Sequence, residues 1–249
     1  MGILNVTPDS FSDGGRFVDL AAAVAHGLQM SAEGATIVDV GGESTRPGAR
    51  EVDPREESAR VVPVIAALFP HVRVSVDTRH ASVAEAAIEA GATIVNDVSA
   101  SLCDVAAAGG VSWIAMHMQG DPTTMQDAPS YDDVVAEVRG HLLAAARRGA
   151  EAGVTEVYID PGIGFGKDDG HNLALLRHLD ELVATGLPVA VGTSRKGFLG
   201  RLTGGAPVGD RLEASVASAV AAALRGASIV RVHDVAPTVA ALDVAGALS

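Results

Sequence analysis

The chain has 249 residues, 48% of them hydrophobic and 3% aromatic, enough to bury one sizeable core. Its 31 acidic residues outnumber the 18 basic ones, and the net charge of -13 excludes nucleic acid or an anionic membrane as the main partner, because either demands a concentrated basic face. Cys103 is the sole cysteine, which rules out an intrachain disulfide and a Cys-based zinc site, and no apolar run approaches the roughly 20 residues of a spanning helix.

Short β-branched runs alternate with Ala/Leu-rich amphipathic segments from one end to the other. The predicted strands cover residues 2–6, 36–40, 72–77, 93–97, 113–117, 156–160, 188–193 and 228–233. The helices predicted between and after them cover 20–33, 54–68, 82–90, 131–152, 173–184, 211–225 and 236–247. Continuous apolar strands alternating with helices imply a parallel sheet covered on both faces. Eight of them imply a single closed (β/α)8 barrel of the TIM type, read as one domain over residues 1–249. The pairs Gly34-Ala35, Gly91-Ala92, Gly153-Val154 and Gly226-Ala227 stop a helix before the next strand. The fourth unit is the short one: only residues 102–108 can be helical between strands four and five, so its helix is cut down. With strand-like residues directly after Met1 and no signal peptide, the expected location is the cytoplasm.

Chemistry concentrates where the strands end, which in barrels is the catalytic face. The first strand runs from Asn5 into Val6-Thr7-Pro8-Asp9-Ser10-Phe11-Ser12-Asp13-Gly14-Gly15, and the second from Asp39 into Gly41-Gly42-Glu43-Ser44-Thr45-Arg46-Pro47-Gly48. The third and fourth finish on Asp77 and Asn96-Asp97, and the fifth on Met116-His117-Met118-Gln119-Gly120. Asp160-Pro161-Gly162-Ile163-Gly164-Phe165-Gly166-Lys167 closes strand six, Ser194-Arg195-Lys196 strand seven and Arg231-Val232-His233 strand eight. One such residue is ordinarily a cap or a buried polar staple; eight polar strand ends together form a site. Asp77, Asn96, Asp160 and Lys196 mix donors and acceptors as a flat heterocycle with an amide and an amino group requires. Arg231 and His233 share a face of strand eight, where barrels often hold phosphate. Asn5 on the neighbouring strand suits magnesium, which prefers oxygen ligands and retains waters. A zinc hydrolase lacks its clustered histidines here, and a Schiff-base aldolase built on Lys196 leaves the Asp/Asn set and the glycine-rich loops without a use.

These eight strand-end segments, with Ser75-Val76-Asp77-Thr78 at strand three and Val95-Asn96-Asp97-Val98-Ser99 at strand four, resemble the dihydropteroate synthase family in order and over nearly the whole chain. The resemblance implies condensation of 6-hydroxymethyl-7,8-dihydropterin diphosphate with p-aminobenzoate, giving 7,8-dihydropteroate and diphosphate. It places the pterin on Asp77, Asn96, Asp160 and Lys196, with Met116 lining the slot, and the diphosphate on Arg231, His233 and Asn5 with Mg2+. It places p-aminobenzoate among Thr45, Arg46, Pro47, Phe165 and Lys196, under loops that include Phe11 and Asp13, and counts Gly164 among the substrate-binding residues. By the same resemblance Asp13, Asp77, Lys196, Arg231 and His233 are the catalytic set, sulfonamides compete with p-aminobenzoate, and the protein is a homodimer. The alternatives are a pterin-dependent methyltransferase, which has no use for Thr45-Arg46-Pro47 or the Arg231/His233 pair, and a non-catalytic pterin-binding paralogue. The chain departs from the family in its short connection over 101–110 and in Gly197, which provides no hydroxyl after Lys196. Outside the set, Asp97 reads as a strand-end or cap residue, His117 as structural and Lys167 as facing solvent near the rim.

Overall fold

The computed structural model describes residues 1–7, 15–43, 52–121 and 124–248. In chain order the elements are β1 (Gly2–Asn5), α1 (Gly15–Ala32), β2 (Ile37–Gly41), α2 (Pro54–Leu68), β3 (Arg73–Asp77), α3 (Ala81–Glu89), β4 (Ile94–Asp97), α4 (Cys103–Gly109) and β5 (Ser112–Met116). There follow α5 (Val134–Ala152), β6 (Val157–Asp160), α6 (Asp169–Arg177), α7 (Leu179–Val183), β7 (Ala190–Val191), α8 (Gly197–Leu202), α9 (Leu212–Leu224), β8 (Ile229–Val230) and α10 (Val235–Ala247). Strands β1 to β6 pair in parallel in sequence order, and β7 pairs in parallel with β8. Parallel bridges Ile159–Val189 and Gly2–Val232 join these two groups at both edges. The Ile3 N–H donates to the Val232 carbonyl at 2.9 Å and the Val232 N–H to that of Met1 at 3.0 Å. The sheet is therefore closed on itself, and the (β/α)8 barrel expected from eight strand signals is present.

Side chains alternate across each strand, so parity decides what enters the barrel. Ile37, Ile94, Ile114, Tyr158, Ala190 and Ile229 make one apolar layer inside. Their neighbours Val38, Val74, Val95 and Trp113 point outward into the core shared with the helices. Two residues beyond Ile37, Ile94, Ile114, Tyr158 and Ile229 stand Asp39, Asn96, Met116, Asp160 and Arg231; on β3, Ser75 lies opposite Ile94 and Asp77 opposite Asn96. The polar floor and the greasy plug beneath it are thus one pattern read at successive levels.

Caps explain where the helices begin. Asp53 accepts the Arg55 N–H at the start of α2, with Pro54 in the first turn, and Asp133 accepts from Val135 and Ala136 at the start of α5. The helix expected over 173–184 is instead two. α6 starts at Asp169, because Asp168 and His171 form a reciprocal capping box, and the chain bends at His178 before α7. α8 was not anticipated, and β7 and β8 are shorter than the runs expected at 188–193 and 228–233. The helix of the fourth unit is short, as anticipated. Asp97, of opposite parity to Asn96, accepts the N–H groups of Ser99, Ser101 and Leu102, the Ser99 hydroxyl and the Trp113 indole N–H. One buried carboxylate thereby fixes the tight crossover to the outer core, in the cap role read from the sequence.

Candidate active site at the strand carboxyl ends

Register levels the site residues across the barrel mouth. Asn5, Gly41, Asp77 and Asn96 are successive cross-strand partners, and Met116 pairs with Asp160. Asn96, Met116 and Asp160 are all buried. Arg231 reaches across this floor: its Nε donates to Asp39 Oδ2 at 2.5 Å and its Nη2 to Asp77 Oδ2. Asn96 Nδ2 donates to the same Asp39 oxygen at 3.0 Å. Asp39 therefore orients two of the expected ligand-binding groups, although the sequence reading assigned it no role. The parity of Ile37-Val38-Asp39-Val40 was the signal that could have found it, since it sends Asp39 inward.

The second oxygens of both acids, Asp39 Oδ1 and Asp77 Oδ1, are buried without a hydrogen-bond partner. Such atoms are costly unless something donates to them, so the floor is built to receive N–H groups from a ligand. On the far side the Gly162 N–H donates to Asp160 Oδ1 at 2.7 Å. The Lys196 ammonium donates to the Ile163 carbonyl and sits 4.7 Å over the Phe165 ring. At β8, His233 lies against Ser194, its Nδ1 3.0 Å from the hydroxyl and its backbone N–H donating to it at 3.2 Å. Arg195, in the left-handed region at φ 59, clamps Asp234 with Nε at 3.0 Å and Nη2 at 2.5 Å, tying the ends of β7 and β8 together.

Burial governs the protonation of this floor. It raises the Asp77 carboxyl to about 7; Arg231 pulls the other way, while Asp39, Glu57 and Asp160 push it further up. Burial likewise raises Asp160, against Lys196 and the Gly162 N–H. Lys196 is lowered to about 8, again chiefly by burial and partly restored by Asp160. For Arg231 burial works downward, but Asp39 and Asp77 hold it above its ordinary value. The floor thus combines a permanent cation with two groups poised to exchange protons near neutrality.

Two histidine and lysine expectations turn out differently. His117 is buried and structural, as anticipated. Lys167 does not face solvent: it is 2% exposed, its Nζ bound by the His117 ring and by nearby carbonyls. The alternation rule that served the strands does not apply inside this loop, where Gly162, Gly164 and Gly166 take left-handed φ values and the backbone path decides where Lys167 points. Among the described residues one further group gathers carboxylate and imidazole atoms within 4.8 Å, Glu43, Glu57 and His80. Arg79 already bonds both oxygens of Glu43 at 3.2 Å, and Glu57 holds His80 at 2.7 Å, so this group reads as a brace between β2 and β3. Phe11, Asp13, Thr45, Arg46 and Pro47 lie outside the described residues.

Residues 1–233 match the family model described as pterin binding enzyme. The chain is 53% identical to the dihydropteroate synthase of Mycobacterium leprae over 99% of this chain and 92% of that protein. The crystal structure of Yersinia pestis dihydropteroate synthase with a sulfonamide drug superposes with a TM-score of 0.93 at 46% identity, covering 99% of this chain and 92% of the other. The Xanthomonas albilineans dihydropteroate synthase with 4-aminobenzoic acid gives 0.93 at 48% identity, covering 99% and 91%.

Proposed function

The chain belongs to the pterin binding enzyme family and, within it, to the dihydropteroate synthases, and from that premise we propose how its own residues divide the reaction. The enzyme condenses 6-hydroxymethyl-7,8-dihydropterin diphosphate with p-aminobenzoate to 7,8-dihydropteroate, releasing diphosphate. The observation that carries the assignment of roles is the pair of buried, unpartnered carboxylate oxygens on Asp39 and Asp77, flanked by Asn96, Asp160 and Lys196. The pterin's ring N–H and amino groups donate to Asp77, whose Oδ1 has no partner, and to Asp160, while Asn96 and Lys196 satisfy its ring oxygen and nitrogen. Met116 forms an apolar wall of the slot. The Arg231 guanidinium is held flat by Asp39 and Asp77 and, with His233, receives the diphosphate end.

Departure of diphosphate leaves positive charge on the pterin methylene, shared with the electron-rich ring, and the aromatic amine attacks as its free base. No strong general base is needed. The work of the protein is to hold the leaving group's charge against fixed cations and to keep water from the cation. Gly164, Phe165 and Lys196 form the described part of the p-aminobenzoate subsite; Asp13, Thr45, Arg46 and Pro47 complete it in this proposal.

Magnesium fits the residues present. Gly41 has no side chain, and a methyl group there would meet Asp77 Cβ at 3.5 Å and Asn5 Oδ1 and Asp77 Oδ2 at 3.8 Å, so the glycine leaves room for one methyl-sized group beside two oxygens at the end of β1. Oxygen donors are what this ion prefers. Asn5 would hold it together with the substrate's diphosphate, and when bound it neutralises charge on the leaving group. Chelation with EDTA should abolish turnover, and added magnesium should restore it.

The proposal extends to a cytoplasmic homodimer acting as one domain over residues 1–249. No helix among the described residues is long and apolar enough to cross a membrane. Exposed Leu202, Leu212 and Leu224 on α8 and α9, with Val244 on α10, offer an apolar surface for a second copy. Incubation with magnesium and both substrates should release diphosphate only when p-aminobenzoate is present; folded protein that releases none would overturn the reading.

A further inference from the structure

Lys167 is a long basic side chain at the edge of the site, its ammonium lowered by burial to about 7, and its hydrogen bonds go to neither the pterin floor nor the expected diphosphate end. Its surroundings account for its burial. In the loop after β6, Gly162, Gly164 and Gly166 all take left-handed φ values, 64, 83 and 61°. Within this loop the carbonyls of Gly162 and Phe165 face one centre. The Lys167 ammonium occupies that centre. Its Nζ donates to the carbonyls of Gly162 and Phe165, both at 2.9 Å, to the His117 carbonyl at 3.3 Å and to His117 Nδ1 at 3.0 Å.

The acceptors come from two loops. Gly162 and Phe165 belong to the β6 loop, and His117 follows β5. The two loops pack closely enough that a Cβ on Gly162 would stand 1.8 Å from the His117 carbonyl oxygen, and one on Gly166 would stand 2.3 Å from that of Gln119. Burial lowers the His117 imidazole to about 3, so its ring is neutral at physiological pH and Nδ1 keeps a lone pair for the ammonium. The outer face of the same loop is held separately, the Gly164 N–H by Asn172 Oδ1 at 2.6 Å and the Gly164 carbonyl by Gln126 at 2.6 Å. Lys196 takes the Ile163 carbonyl. Every turn of this loop is therefore tied down, and Lys167 is the tie at Phe165, the residue whose ring faces Lys196.

We propose that Lys167 is a positioning residue for the second substrate: by gathering the Gly162 and Phe165 carbonyls against His117 it sets the place of Gly164 and the Phe165 ring in the p-aminobenzoate subsite. This rests on the functional reading above. Most of the pterin floor is fixed apart from this loop, because Asp77 and Asn96 sit in the strand ladder and Arg231 and Asp39 brace one another; Asp160 accepts the Gly162 N–H but is also held in the ladder opposite Met116. Loss of the ammonium should consequently fall on one substrate and not on both.

The experiment is steady-state kinetics of Lys167→Met on the intact enzyme with magnesium, varying each substrate in turn. The expected result is a KM for p-aminobenzoate raised at least tenfold, with the KM for the pterin diphosphate changed less than threefold. His117→Leu removes the ring acceptor but retains the ammonium; it should give the same selective rise, about threefold, and decides the matter if Lys167→Met does not fold. An unchanged KM for p-aminobenzoate, a parallel rise in both KM values, or a fall in kcat alone would overturn the positioning role. A wild-type chain that turns over while the variants keep its KM ratio removes this inference only, whereas a wild-type chain that releases no diphosphate removes the functional reading itself.

Discussion

Asp39 is 0% exposed and binds two partners through one oxygen, so its replacement leaves the Arg231 cation without half of its counter-charge. Asp39→Ala should destabilise the protein by about 3 kcal/mol, the scale on which breaking one partner of a buried ion pair is felt. Urea unfolding measures it, and a loss below half that figure would mean that Asp77 alone compensates the guanidinium. Asp77 provides a pH signature. Its carboxyl is raised from 3.8 to about 7, so between those values the ligand-free native state holds a proton that the unfolded chain has released. The stability contributed by the protonated form is full below about pH 4 and is lost as pH rises through 7. Asp77→Asn should flatten that decline in unfolding curves taken across pH 4 to 8 while abolishing pterin binding. Lys196 acts in the opposite range: lowered to about 8, it loses its charge as pH climbs past that value, and affinity for the anionic pterin substrate should weaken there. Lys196→Met should remove this alkaline limb from the pH dependence of the pterin dissociation constant.

At the scale of elements, the outcome depended on which physical rule governed each segment. Strand ends are displayed directly by a sequence, so Asp77, Asn96 and Asp160 are legible there as strand-end residues, and alternation puts Arg231 and His233 on one face of strand eight. β7 and β8 escaped accurate bounds because each forms a two-residue ladder with the other and meets its second neighbour only through a single bridge, Ile159–Val189 or Gly2–Val232. The division of α6 from α7 is equally local, decided by a capping box at one end and a non-helical His178 at the other. Lys167 and Asp39 went unassigned for different reasons. Lys167 owes its burial to glycine conformations several residues away, whereas Asp39 was visible in the alternation and needed only its partner, Arg231, 192 positions further on. The shortened fourth unit depends on Asp97, whose loss strands several donors at once. Asp97→Ala should cost about 2 kcal/mol of stability while leaving both KM values within twofold, since the carboxylate faces the outer core. Thermal unfolding together with steady-state kinetics would expose a site role if either KM moved.

Across the whole molecule, the two substrates are served by different kinds of structure. In the proposed assignment the pterin meets side chains rooted in strands and locked to one another, and p-aminobenzoate meets loop residues, of which the β6 loop is the described part. Competition should follow this division. A sulfonamide should raise the apparent KM for p-aminobenzoate and leave the maximum rate unchanged, and inhibition insensitive to p-aminobenzoate concentration would contradict the assignment of that subsite. Dimerisation through the α8–α10 surface predicts a sedimentation mass twice the 25.2 kDa of the chain, with Leu224→Glu shifting it toward the monomer.

The mutual bonding of Asp39, Asp77, Asn96 and Arg231 has a consequence for how the site can change under selection. A substitution in the floor damages ligand contact and folding together, because each of these groups is also the counter-charge or hydrogen-bond partner of another. A compound that imitates the pterin presses against residues with little freedom to vary. One that imitates p-aminobenzoate rests, in the proposed assignment, on side chains such as Phe165 that belong to none of these bonds, so a change there leaves the mutual bonding of the floor intact.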